Sequence, residues 1–343
     1  MLDLDLYILA TGSIAPAPDL QLPVTQLLCS EPDYTAFIQP MQLRRMSKIV
    51  RMGIGAARSC MQAVGIEKPD ALSIGTAMGC LKDTEAFLTK MVTQEEKMLT
   101  PTSFIQSTHN TVGGQIALWT GCYGHNMTYV QGGHSFEQAI LNTKLYLQDH
   151  PGETVLAGGI DELTPTSHVL LQRAGLYSQD EIAPATLLQT ANSGSIGGEG
   201  ACFFTIKEQR EAAAVHLKSL HLFTADTTQA ATEEVKQFLL QQSIDLQEID
   251  LVVLGENGDI AAADFYEALK TEVFAENDLA AFKHLCGEYA TASAFGLSLI
   301  ANGLINGQFP ATFFSANTPI HLKKVLIINH YCDHYSCWYL EKV

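Results

Sequence analysis

Residues 110–140 read NTVGGQIALWTGCYGHNMTYVQGGHSFEQAI, and the fold turns on how this stretch divides. The run from Asn126 to Gln131, NMTYVQ, places Thr128, Tyr129 and Val130 in succession, side chains that suit a pleated, half-buried surface, and predicts a short strand. It contains no charge and no proline, the usual devices for blunting a strand at a sheet edge. Gly132 and Gly133 then turn the chain. SFEQAILNTKLYLQDH (135–150) carries apolar residues at helical spacing and ends at Pro151-Gly152. The central unit is therefore strand, glycine turn, helix.

The same unit recurs outward in both directions. DALSIGTAMGCLKDTEAFL (70–88) is a buried strand, a glycine turn and a helix, and ETVLAGGIDEL (153–163) is a fully buried strand. LDLYILATGS (4–13) alternates as a first strand would, residues 15–40 are proline-rich and irregular, and MQLRRMSKIVRMGIGAARSCMQAVGI (41–66) is expected as one helix stopping near Gly65. After Gln209 come a strand (VHLKSLHLF), a helix (ATEEVKQFLLQQSI), a buried strand ending in a glycine turn (DLVVLGENG) and a helix (AAADFYEALKTEVF). KHLCGEYATASAFGLSLIANGLI (283–305) is expected as a further long helix, and KVLIINHYCDHYSCWYLEKV as a terminal pair of strands. Strand–turn–helix units on both sides of Gln209 predict an α/β protein with halves 1–209 and 210–343 and a parallel sheet in each.

Five segments carry a family resemblance, the first being the Gly75-Thr76-Ala77-Met78-Gly79 turn of residues 70–88. Asn110, Gly114, Gly121, Gly124, Asn126, Ser135, Ala139 and Ile140 fall without a gap on the nucleophile region of the β-ketoacyl synthases of fatty-acid and polyketide assembly. The Arg44-Arg45-Met46-Ser47 segment, ETVLAGGIDEL and GSIGGEGACFFTIKE (194–208) resemble three further motifs of that family, and coverage runs from about residue 41 to the C-terminus. The resemblance implies a thiolase-like fold, in which two similar βαβαβ halves pack as an α/β/α/β/α layered sandwich.

It also implies that the catalytic positions are degenerate. The family's cysteine nucleophile falls on Gly133, and Cys122 lies eleven residues too early to replace it. A thiolate at a helix N-terminus is what that chemistry requires, and glycine has nothing to acylate. The family's two histidines fall on Asn257, or on Glu256 without a deletion, and on Glu288; the preceding lysine survives as Lys283. Lys283 is expected to pair with Glu288 or a neighbouring carboxylate in a polar, partly filled pocket. The family's glycine-rich closing loop becomes His330-Tyr331-Cys332-Asp333, where Tyr331 keeps an aromatic ring. His134 and Ser135 are adjacent at a helix start and point apart, so Ser135 reads as a cap or packing residue.

Three functions follow from the resemblance. The first is a catalytically silent homologue of the chain-length-factor type, paired with an active ketosynthase and resembling proteins of aryl-polyene and flexirubin-type pathways. The second is an acyl-transfer enzyme with a relocated nucleophile, Cys332, beside Asp333 and His334. The third is a homodimer that binds acyl chains. In the first, the 126–131 strand is expected to pair antiparallel with its counterpart across a dimer seam, with Tyr129 on it, and His109 is expected to reach the partner's acyl tunnel. A satisfied interface histidine is the alternative for His109.

Composition bounds the partners. A formal charge of −17 disfavours nucleic acid and anionic membrane, and makes the chain a poor dock for acidic acyl carrier proteins, which are expected to reach it through the partner. The one basic concentration, Arg44, Arg45, Lys48, Arg51 and Arg58, is either a local exception or a solvated helix face. The eight cysteines form no CxxC pair, and no HExxH motif occurs, so no metal and no cofactor is expected. MLDLDLYILATG lacks the basic start of a signal peptide and no long apolar run appears, which gives an expectation of a cytoplasmic protein.

Overall fold

The structure is a computed structural model and describes residues 2–210, 215–310, 313–314 and 322–343. Ten strands form one sheet: β1 (Leu2–Ile14), β2 (Ala71–Gly75), β3 (Asn126–Tyr129), β4 (Val155–Asp161), β5 (Gly200–Lys207), β6 (Val215–Thr224), β7 (Leu251–Leu254), β8 (Leu279–Ala281), β9 (Lys324–Tyr331) and β10 (His334–Lys342). The principal helices are α1 (Lys48–Ala63), α2 (Leu81–Thr93), α3 (Thr111–Thr120), α4 (Ser135–Asp149), α5 (Thr228–Gln241), α6 (Ile260–Ala268) and α7 (Ala292–Asn306).

The order across the sheet is β8-β7-β9-β10-β6-β1-β5-β4-β2-β3. Counted outward from the central β6–β1 pair, each set of five runs first, fifth, fourth, second, third, so the two sets share one topology. In each, the second strand pairs parallel with the third and fourth, while the fifth pairs antiparallel with the fourth and first. The expected all-parallel sheets are thus corrected to mixed ones. The two-residue turn between β9 and β10 can only join antiparallel neighbours.

Alternation along the strands builds the layers. Val155 and Ala157 of β4, Leu251 and Val253 of β7, and Val325 and Ile327 of β9 face one central cluster with Phe136 and Ile140 of α4 and Leu297 and Ile300 of α7. Leu156 and Ile160 point the other way, against Ile54 of α1 and Ile116 of α3. Val252, Leu254 and Ile328 likewise meet Val235 of α5 and Phe265 of α6. The two five-stranded sets, continuous through the β1–β6 pair, act as two layers: helices, one set, α4 and α7, the other set, helices, which is the five-layer α/β/α/β/α sandwich of the thiolase-like fold.

Three segments differ from the sequence reading. The helix expected over 41–66 is a short turn, Pro40–Leu43, followed by α1, because Ser47 adopts an extended backbone. The strand expected through Gln131 ends at Tyr129, where the chain bends into a 3-10 turn, Gly132–His134. The helix expected over 283–305 is broken: a turn at Lys283–Cys286 stops at Gly287, whose φ of 77° is open to glycine, and α7 starts at Ala292. Across the break, Glu288 donates its N–H to Ile196 and accepts from the Gly198 N–H, so the chain is stitched to the segment before β5.

Candidate functional site

Gly133 lies in the turn between β3 and α4, at the N-terminus of the central helix. Ser135 holds that turn by accepting from the Gln131 N–H and donating to the Gly132 carbonyl, each at 2.8 Å. The β9–β10 hairpin lies directly over Gly133: a Cβ there would stand 2.9 Å from the Cβ atoms of both Tyr331 and His334, and 3.2 Å from the Tyr331 carbonyl oxygen. Position 133 is therefore filled from outside as well as lacking a side chain. The His134 ring meets the His334 ring edge-on at 4.5 Å, and its Nε2 lies 3.0 Å from the Tyr335 carbonyl oxygen. Burial lowers the His134 imidazole below its ordinary value. Tyr335 continues the packing, stacking on Phe223 at 5.1 Å and meeting Phe265 edge-on.

The break at Gly287 carries Lys283 and Glu288 into the core together. The Lys283 ammonium donates to both Glu288 oxygens, at 2.9 and 2.8 Å, and to the His330 carbonyl at 2.5 Å. Asn257, in the loop after β7, donates to the same carboxylate at 2.6 Å. Both charged side chains are sealed from solvent, Lys283 fully. Burial raises the Glu288 carboxyl above its ordinary value, and the lysine and Asn257 oppose that rise. Glu256, the alternative histidine position, turns instead to Lys270, 2.7 Å away. Asn257 is thus the residue that joins the cluster.

These bonds decide the chemistry. Acyl condensation needs donors and bases aimed at an empty point where charge develops. Here the lysine's donors end on Glu288 and His330, and the Asn257 amide ends on Glu288. His330 is buried and held well below the ordinary imidazole value by burial and by the Lys283 ammonium, and its Nδ1 is 2.8 Å from the Tyr266 hydroxyl. Tyr266 and Tyr335 were not singled out from sequence; His330 and His334 were named only as parts of the closing loop, and the buried bond of His330 to Tyr266 had no signal there.

Cys332 occupies the β9–β10 turn with a φ of 53°, and its sulfur has no hydrogen-bond partner among the described residues. Desolvation, Glu288 and Asp333 push its thiol up to about 11, the wrong direction for a nucleophile at neutral pH. His334 lies beside Asp333, 2.9 Å from its carboxylate, instead of beside the sulfur. His109 is exposed and its ring rests against Gly79. Tyr129 is half-buried on β3, which among the described residues is hydrogen-bonded on one side only and forms a sheet edge. Among the described residues no group of three or more His, Cys, Asp or Glu side chains is placed to hold a metal ion, and no helix is long and apolar enough to cross a membrane.

Comparison with known proteins agrees with this architecture. Residues 27–212 match the sequence profile of the β-ketoacyl synthase N-terminal domain. Comparison with curated protein sequences returns no significant match. Among solved structures, the ishigamide ketosynthase/chain length factor superposes with a TM-score of 0.78 at 14% identity, covering 98% of this chain and 99% of that one. A β-ketoacyl synthase from Burkholderia phymatum STM815 superposes with a TM-score of 0.76 at 15% identity over the whole of both chains. A type II polyketide synthase acyl-carrier protein in complex with its ketosynthase bound to the hexaketide gives 0.75 at 14% identity, with 98% and 99% covered. With the profile spanning more than half of its length, this chain belongs to the β-ketoacyl synthase family.

Proposed function

We propose that this protein is a catalytically silent member of the family that serves as the chain-length-factor-type subunit of an active ketosynthase, in fatty-acid or polyketide assembly of the aryl-polyene kind. The observation that carries the reading is position 133: it has no side chain, and the hairpin carrying Tyr331 and His334 leaves no room for one. The Lys283–Glu288–Asn257 cluster supports it, since the three lysine donors end on Glu288 and His330 and the Asn257 amide is bonded to the same carboxylate instead of facing an enolate or oxyanion.

The edge of β3 supports a dimeric role. Met127 and Val130 on or beside it are exposed, as are Phe104, Ile105, Leu118 and Tyr123 on neighbouring segments. An unpaired strand edge with apolar side chains around it is costly in an isolated chain and is relieved by an antiparallel partner strand. In this reading the partner is the active ketosynthase, the acyl carrier protein docks through that partner, and His109 helps set the length of the chain it builds. Co-expression with the ketosynthase encoded nearest to it should yield a stoichiometric heterodimer whose product length shifts with His109→Ala. A chain that stays monomeric at micromolar concentration beside that ketosynthase defeats the reading. Co-purification as a homodimer with bound fatty acid favours the acyl-binding alternative.

A further inference from the structure

The carboxyl ends of β7 and β8 border a cavity of about 600 Å3 that none of Gly133, Asn257, Lys283 and Glu288 lines. The two strands run parallel, and their last residues, Leu254 and Ala281, both buried, form part of its wall. Open α/β sheets take small molecules in the crevice beyond the carboxyl ends of their strands, and a volume of about 300–1,000 Å3 suits such a ligand. Phe314, bridged antiparallel to Ala280 of β8, lines the same cavity, as do Leu188 and Leu279.

Into this apolar lining the chain puts one ion pair. Glu256, two residues past β7, and Lys270 both line the cavity, and their side chains meet at 2.7 Å. Both are largely shielded, the Glu256 side chain being 17% exposed and that of Lys270 31%. An irregular turn carries Lys270 there: α6 runs on into Leu269–Val273, where the Phe274 N–H donates to the Leu269 carbonyl, five residues back, at 2.8 Å. A wide turn of this kind interrupts regular helical bonding and occurs frequently at functional sites. Holding two charges beside leucine and phenylalanine side chains also costs desolvation, which a pair placed out in solvent would avoid.

The pair sets the charge that a ligand can carry. Lys270 donates to Glu256 alone among the described residues, and an ammonium has three N–H donors while a carboxylate has about four acceptor sites, so both groups keep hydrogen-bonding capacity. A ligand with only a carboxylate would bond Lys270 and be repelled by Glu256, and one with only an ammonium would do the reverse. A zwitterion meets both at once, its carboxylate on Lys270 and its ammonium on Glu256, and leaves the pair intact. We infer that this cavity binds a free α-amino acid with a large apolar side chain, which lies against Leu254, Leu279 and Phe314. The inference is independent of whether the protein is catalytically silent.

Calorimetric titration of the full chain with L-phenylalanine, N-acetyl-L-phenylalanine, phenethylamine and glycine tests it. L-Phenylalanine should bind one to one. The acetylated form lacks the ammonium and phenethylamine lacks the carboxylate, so each should bind at least about tenfold more weakly, and glycine, with no apolar side chain, should not bind. Lys270→Gln and Glu256→Gln should each weaken L-phenylalanine binding about tenfold, whereas Lys236→Gln, outside the cavity, should change nothing. Where a single variant lowers the melting temperature, the exchanged pair Glu256→Lys with Lys270→Glu should restore both melting and binding, since it keeps one charge of each sign. No saturable binding of L-phenylalanine, equal affinity for either derivative, or indifference to Lys270→Gln would overturn the inference. So would an exchanged pair that folds but does not bind.

Discussion

At position 133 a single methylene decides between two accounts of the site. Because a Cβ there would press to 2.9 Å on Tyr331 and His334, Gly133→Cys must displace the hairpin. It should lower stability by about 1–3 kcal/mol, the usual range for overpacking, read as a fall in melting temperature, and should restore no turnover. Glu288→Gln leaves Lys283 buried without a counter-charge and should cost about 3–5 kcal/mol at neutral pH. Unchanged melting in that variant would mean that the pair does not stabilise the buried cluster. Glu137, one helical turn beyond Gly133, is buried in the central layer with one oxygen bonded to Ser336 and the other unpartnered. Burial pushes its carboxyl up to about 7 from the ordinary 4.5, so the folded chain holds that proton more tightly than the unfolded chain. Its contribution is therefore fully present below about pH 4.5, is lost as pH rises to about 7, and is flat above that, an effect of order 3 kcal/mol. Glu162, also raised to about 7 by burial, adds a slope over the same window. Glu137→Gln should flatten part of the stability loss between pH 5 and 7.5; an unaltered slope would remove Glu137 as a cause. Gly133, Asn257, Lys283 and Glu288 were legible in the sequence because their motifs flank them. Glu137 was not: in an amphipathic pattern its charge reads as a solvent face, and only the strands of the second set packed over α4 show otherwise.

Among the elements, β3 makes the sharpest prediction. It is four residues long and, among the described residues, pairs with β2 alone and leaves its other edge open. Tyr129→Pro removes a backbone donor and should leave a monomer or an aggregate by light scattering, whereas wild-type chain should dimerise. The strand–turn–helix units were legible because period-two and helical spacings alternate cleanly along the chain. The break at Gly287 was not, since the residues on both sides are apolar at helical spacing. What ends the turn there is tertiary, the backbone bonds of Glu288 to Ile196 and Gly198. Sheet direction was also hidden, because a buried strand has the same sequence pattern whether its neighbour runs parallel or antiparallel.

Across the whole molecule, two sets of five strands with one topology meet at the β1–β6 pair and enclose α4 and α7. We propose residues 1–209 and 210–343 as the two halves. In this arrangement the N-terminus of α4, the Lys283 turn and the β9–β10 hairpin converge on one point, drawn from both halves, which we propose as the counterpart of the family's condensing site. Here that point holds rings and a closed ion-pair network. The most direct test is intact-protein mass after incubation with a malonyl or acyl thioester, alone and beside the partner ketosynthase. A covalent acyl adduct is expected on the ketosynthase and none on this chain. An adduct on this chain that disappears in Cys332→Ala would contradict it and return the nucleophile to the hairpin.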